Sequence, residues 1–130
     1  MTKNFEGKGF SLRLEDDYVV LELNAGQDEL NREMLAEGIA YLQKEYDGPF
    51  GCIFCRPAPI SIDLVSARRL LAENLPRLVA AANVSNDRTT RRNVDYEKTV
   101  IDLFPIETFG RIEEAKDWVS AVVRKSRSHS

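Results

Sequence analysis

The sequence predicts an α/β domain with a mostly parallel central sheet covered by helices, on three observations. Short runs rich in β-branched and aromatic residues alternate with longer segments whose apolar residues recur at three- and four-residue spacing. Gly-Pro, Pro-x-Pro and single prolines fall between these runs, where a helix or central strand has to stop. The chain has 130 residues, enough for one continuous core and too few for two ordinary ones, so a single domain spanning 1–130 is expected.

Phe10-Ser-Leu12-Arg-Leu14 and Tyr18-Val19-Val20-Leu21-Glu22-Leu23 read as an antiparallel hairpin, with Glu15-Asp16-Asp17 as its tight, solvent-facing turn. From Asp28 to Tyr46, Leu30, Met34, Leu35, Gly38, Ile39, Leu42 and Tyr46 form one apolar helical face, ended by Gly48-Pro49. Phe50-Gly51-Cys52-Ile53-Phe54-Cys55 reads as a buried strand. Two prolines in Arg56-Pro57-Ala58-Pro59-Ile60-Ser61 forbid its continuation, and Ser61 is placed to cap a helix from Ile62 to about Leu75.

A strand follows at Leu78 to Val84. Ser85-Asn86-Asp87 then offers caps for a third helix, with Val94, Glu97, Val100, Ile101 and Phe104 on one side until Pro105. Ile106 to Phe109 suits a short edge strand. The last helix begins near Arg111, with Ile112, Ala115, Val119 and Val122 on its inner face and Trp118 as a structural anchor. Arg124 to Ser130 carries no apolar residue, which predicts a frayed or disordered tail at 124–130. The order is ββαβαβαβα, and right-handed crossovers then give the parallel sheet.

Composition narrows function. Hydrophobic residues make up 43% and charged residues 30%, the balance of a globular chain. The net charge of −3 and a pI of about 5.3 argue against a nucleic-acid binder, because phosphate affinity comes from clustered Lys and Arg. No stretch is long and apolar enough for a transmembrane segment, and the start, Met1 to Glu6, has no apolar signal core, so a cytoplasmic location is expected.

No catalytic constellation, cofactor motif or metal-ligand spacing stands out. Cys52 and Cys55 form a C-x-x-C, but they lie in a strand rather than at a helix start, and the one histidine, His129, sits in the polar tail. They read as reduced core thiols. With no imidazole in the body of the domain, Ser-His-Asp and Cys-His arrangements are excluded there.

The ending Phe104-Pro105-Ile106-Glu107-Thr108-Phe109, followed by Ile112-Glu113-Glu114-Ala115-Lys116-Asp117-Trp118-Val119, resembles the SpoIIAA-like branch of the STAS domains, as do the element order and the hairpin start. That branch also resembles the CRAL-TRIO lipid carriers in fold. The resemblance implies binding without turnover, so the chain is not expected to be an enzyme. In regulatory STAS domains the loop after the third strand carries a phosphorylatable serine in an Asp-Ser-Ser or Asp-Ser-Gly setting. The position here that falls nearest is Ser61, in Ile60-Ser61-Ile62-Asp63, where no Asp precedes and no small residue follows. Helix capping is the simpler reading of Ser61.

Two further places are candidate sites. Pro57, Pro59, Ile60, Ile62, Leu64 and Val65 make an unusually apolar passage from loop to helix, suited to a dimer contact or the rim of an apolar pocket. Ser85, Arg88 and Arg91 lie beyond the carboxyl end of a strand, where an anion contact is expected in open α/β sheets; a solvated helix start is the alternative. Two functions follow. One is a non-enzymatic regulatory module that binds a protein partner or itself as a homodimer. The other is a carrier of a small hydrophobic or lipid-like ligand, with peripheral membrane contact. A spare apolar cavity would favour the carrier, and a filled core with an exposed apolar face would favour the interaction module.

Overall fold

The computed structural model describes residues 3–128. The chain runs β1 (Lys3–Glu6), β2 (Phe10–Leu14), β3 (Tyr18–Leu23), β4 (Glu29–Leu30), α1 (Arg32–Glu45), β5 (Phe50–Cys55) and β6 (Ser61–Ile62). It continues through α2 (Leu64–Asn74), β7 (Leu78–Val84), α3 (Arg88–Val100), β8 (Ile106–Phe109) and α4 (Ile112–Ser128). Six strands form one sheet in the order β1-β2-β3-β5-β7-β8, antiparallel from β1 to β3 and parallel from β3 to β8.

Three elements were not legible beforehand. β1 holds one apolar residue, Phe5, and is an edge strand whose polar side chains are exposed. Phe5 docks it, stacked on Tyr41 with ring centroids 4.1 Å apart, and Lys3 adds an ion pair with Glu45 of α1 at 2.8 Å. β4 and β6 are two residues each, below the length at which periodicity means anything, and they pair in parallel outside the main sheet.

That small pairing changes how the helices begin. The Ser61 and Asp63 N–H groups bond to the Asp28 and Leu30 carbonyls at 2.9 and 3.1 Å, so Ser61 lies in a strand and Asp63 caps α2. The Asp63 side chain accepts from the Ser66 N–H and hydroxyl at 3.1 and 2.9 Å, which holds its carboxyl below the usual carboxylate range. Asn31 likewise caps α1, accepting from the Met34 N–H, and Asp87 caps α3, accepting from the Thr90 N–H. Each cap is an Asx residue three positions before its donor.

The sheet separates two apolar layers. Its parallel strands follow chain order, so right-handed crossovers place α1, α2 and α3 on one face and leave the other to α4. Alternation along β3 and β5 serves both: Val19, Phe50 and Phe54 face the α1–α2 layer, and Val20 and Ile53 face α4. Ala115, Val119 and Val123 form the buried stripe of α4, one helical step from the Val122 predicted.

Two expectations are corrected. α3 ends at Val100, not Phe104, because a residue before proline disfavours the helical region and Ile101 turns inward, only 9% exposed, as the last cap. The segment from Arg124 does not fray: α4 continues to Ser128, and His129 and Ser130 lie outside the described residues. Its tether is polar. Arg127 donates to the Pro49 and Asp16 carbonyls and pairs with Asp17 at 2.7 Å, while Arg124 pairs with the same carboxylate at 3.2 Å. Asp17 is therefore buried under α4 rather than turned to solvent.

Candidate functional site

The carboxyl ends of β3, β5 and β7 open into a crevice of about 960 Å³, the place where open α/β sheets take ligands. Its walls are the loop after β3, the Pro57 to Ile60 loop after β5, and the Ser85 to Asp87 turn before α3. The β4–β6 pairing ties the first two of these loops together. Beneath it, between the sheet and α1 to α3, lies a second space of about 160 Å³ whose lining is almost wholly apolar. Phe54, Leu21 and Ile62 on strands, Met34 and Leu71 on helices, and Phe104 from a connection contribute to it.

Arg56 lines both spaces. It follows directly on β5, its N–H bonds to the Val84 carbonyl at 2.9 Å, and it is 1% exposed. The guanidinium forms a two-pronged pair with Glu97 of α3, Nη1 to Oε1 at 2.7 Å and Nη2 to Oε2 at 3.0 Å, and Nη1 also donates to Asn83 Oδ1 at 3.1 Å. Its carbon sits 5.2 Å from the Phe54 ring centroid. Nε is buried and has no acceptor among the described residues. Desolvating an ion pair costs several kcal/mol, repaid only by good geometry, so one donor left without a partner is a notable gap.

The predicted site residues divide. Pro57, Pro59 and Ile60 line the crevice, with both prolines exposed, and Ile62 lines the inner cavity. Leu64 and Val65 line neither. Leu64 is half-buried, and Val65 is 80% exposed on the first turn of α2. Ser61 is exposed and off the helix start, where the Asp63 carboxylate already accepts from the Ser66 N–H. Ser85 lines the crevice, but it is buried and its hydroxyl accepts from the Asp87 N–H. Arg91 spends its Nε–H on the Ser85 carbonyl at 3.0 Å, and exposed Arg88 lines neither space.

Sequence reading missed Arg56, Asn83 and Glu97. A signal existed: Glu97 stood on the apolar side of its predicted helix, and a charge there calls for a buried partner. The cysteines take opposite faces of β5. Cys52 faces the α1–α2 layer, where burial pushes its thiol up to about 12; Cys55 faces α4, and burial raises it too. Residues three apart on a strand point oppositely, so the pair cannot close a disulfide or share an ion. Among the described residues no group of three or more His, Cys, Asp or Glu is placed to hold a metal, and no helix is long and apolar enough to cross a membrane.

A sheet entered by an antiparallel meander and continued by parallel strands, with α1 to α3 on one face and α4 on the other, defines a single-domain α/β architecture. The fold is SpoIIAA-like. The chain superposes on the crystal structure of an uncharacterized protein from the DUF3478 family with a SpoIIAA-like fold, from Shewanella loihica PV-4, with a TM-score of 0.62 over 92% of this chain and 95% of that one. The two are 12% identical in sequence, so the likeness is one of fold. No protein-family model matches the chain, and no curated protein matches it.

Proposed function

We propose that the domain is a non-enzymatic binder of a small, mainly apolar ligand held between the sheet and α1 to α3. The observation that carries this reading is the cavity of about 160 Å³ beneath the strand ends. An apolar cavity of ~150 Å³ in another protein stays dry and takes up benzene, so a space of this size and lining suits a ring or a short chain. The polar groups on its lining are engaged with one another, Arg56 with Glu97 and Asn83, and the thiol that lines it, Cys52, is held protonated by burial.

The test is thermal unfolding with a benzene-sized hydrocarbon, beside native mass spectrometry of freshly purified protein for a carried ligand. A ligand present at a hundred times its Kd stabilises by ~2.7 kcal/mol. Ala67→Leu, at a 2% exposed position of the cavity wall, should fill the space and remove that stabilisation while circular dichroism stays native. No shift in wild type with any small hydrocarbon refutes the reading. A partner or second copy docked on the 57–65 passage is the other reading, favoured by the 80% exposure of Val65. Its test is sedimentation of Val65→Asp.

A further inference from the structure

We infer that the ligand carries a neutral hydrogen-bond acceptor, a ketone, ester or ether oxygen, received by the Nε–H of Arg56; this rests on the binding reading above. A guanidinium has five donors; in Arg56, Nη1 donates to Asn83 and Glu97 and Nη2 donates once to Glu97, so both terminal nitrogens have a partner. Nε remains, buried and unpartnered, on a side chain that is 1% exposed and lines the apolar cavity. Buried donors are nearly always satisfied in native proteins, so an orphan on a residue that borders a ligand-sized space marks where an acceptor from outside the chain belongs.

The charge of that acceptor follows from Glu97. Its carboxylate, 12% exposed, already neutralises the guanidinium through both oxygens. A second carboxylate at Nε would bring two like charges onto one cation in a poorly hydrated site, which disfavours the ionised form. A neutral oxygen accepts the same hydrogen without that repulsion. The remaining apolar lining holds a ring or about six to eight carbons, by comparison with the cavity that holds benzene. The ligand class is a small neutral amphiphile with one acceptor at the end nearest the crevice.

Ethylbenzene, acetophenone and benzoate share a ring and differ at the head, and they serve as probes in calorimetric titrations of the whole chain. In a featureless apolar cavity the better-hydrated ketone binds more weakly than the hydrocarbon. Here acetophenone should bind at least as tightly as ethylbenzene, and benzoate at least tenfold more weakly than acetophenone. In Glu97→Gln, which keeps an acceptor for the guanidinium and removes the negative charge, the preference for ketone over carboxylate should fall at least tenfold. On wild type, the Arg56 Nε–H proton resonance should move downfield with acetophenone and stay in place with ethylbenzene.

Acetophenone binding more than tenfold below ethylbenzene, benzoate matching acetophenone, or an Arg56 resonance unmoved by the ketone each overturns the inference and leaves the hydrocarbon cavity standing. An unchanged ketone-to-carboxylate ratio in folded Glu97→Gln overturns the assigned role of Glu97. If Glu97→Gln does not fold, the wild-type ratios and the Arg56 resonance decide. Failure of all three probes, ethylbenzene included, removes the parent reading and the inference together.

Discussion

Gly51→Ala should destabilise the domain although alanine outranks glycine in nearly every strand. A Cβ built on Gly51 lies 2.2 Å from Val119 Cγ1, with Ala80 O at 3.4 Å and Val123 Cγ2 at 3.5 Å closing the flanks. Carbon atoms rest at ~3.5 to 4.0 Å, so α4 has to withdraw by roughly 1.5 Å or Val119 has to leave its rotamer. Val119 is fully buried, and a helical valine is stiff at χ1, so neither movement is free. Overpacking of this kind costs ~1 to 3 kcal/mol, against ~0.5 to 1 recovered by removing a glycine from the unfolded chain, which leaves a net loss of ~0 to 2.5 kcal/mol, centred just above ~1. Val119→Ala alone removes two buried methyl groups and should cost ~2 kcal/mol. The double variant should be no worse than Val119→Ala, because the clashing atom is gone, giving a coupling of at least ~1 kcal/mol. Urea unfolding followed by circular dichroism, at unchanged m-value, measures all three. Effects that add to within ~0.5 kcal/mol would refute close packing of α4 on Gly51.

Trp118→Ala should cost ~1 to 3 kcal/mol rather than the larger loss of a fully buried indole, because Trp118 is half-buried and tilted against Phe109 at 5.8 Å; urea titration reads it. Arg127→Ala should cost ~1 to 2 kcal/mol, discounted for its 40% exposed side chain, and should raise amide exchange in the last turns of α4. Burial raises the Cys52, Cys55 and Tyr46 acids above their ordinary values, so the folded state holds protons that the unfolded chain releases. Stability is then complete below pH ~9 and declines as pH climbs from there toward 12, so the thermal midpoint should fall across that window. A flat midpoint between pH 9 and 11 would contradict the burial of these groups. The same burial predicts that Cys52 resists alkylation at pH 8 until denaturant is added.

Long, strongly patterned segments were legible in the sequence. β7 and β8 fall on their predicted residues because each is an apolar run bounded by proline or polar turn residues. What escaped were features set by distant partners. β1 exists because β2 offers an edge and Tyr41 a ring; β4 and β6 exist because two loops meet. The α2 cap moved from Ser61 to Asp63 for the same cause, since Ser61 was already committed to a strand. At the site, the Pro57 to Ile62 passage was visible as apolar residues where a loop should be polar. Arg56 was hidden because its partner, Glu97, lies 41 residues away, and nothing local announces a buried pair.

The order of strands in the sheet bears on how the chain is made. Each main-sheet strand joins the edge left by the one before it, so the β2–β3 hairpin is a template on which β5, β7 and β8 dock in the sequence in which they leave the ribosome. Successive addition keeps loop closures short and favours rapid folding. The exception is α4, synthesised after every strand of the sheet and, among the described residues, the helix that covers Val20, Ile53 and Ala82. Until it arrives the nascent domain carries one finished apolar face and one bare one, and exposed apolar surface of that kind is prone to aggregate.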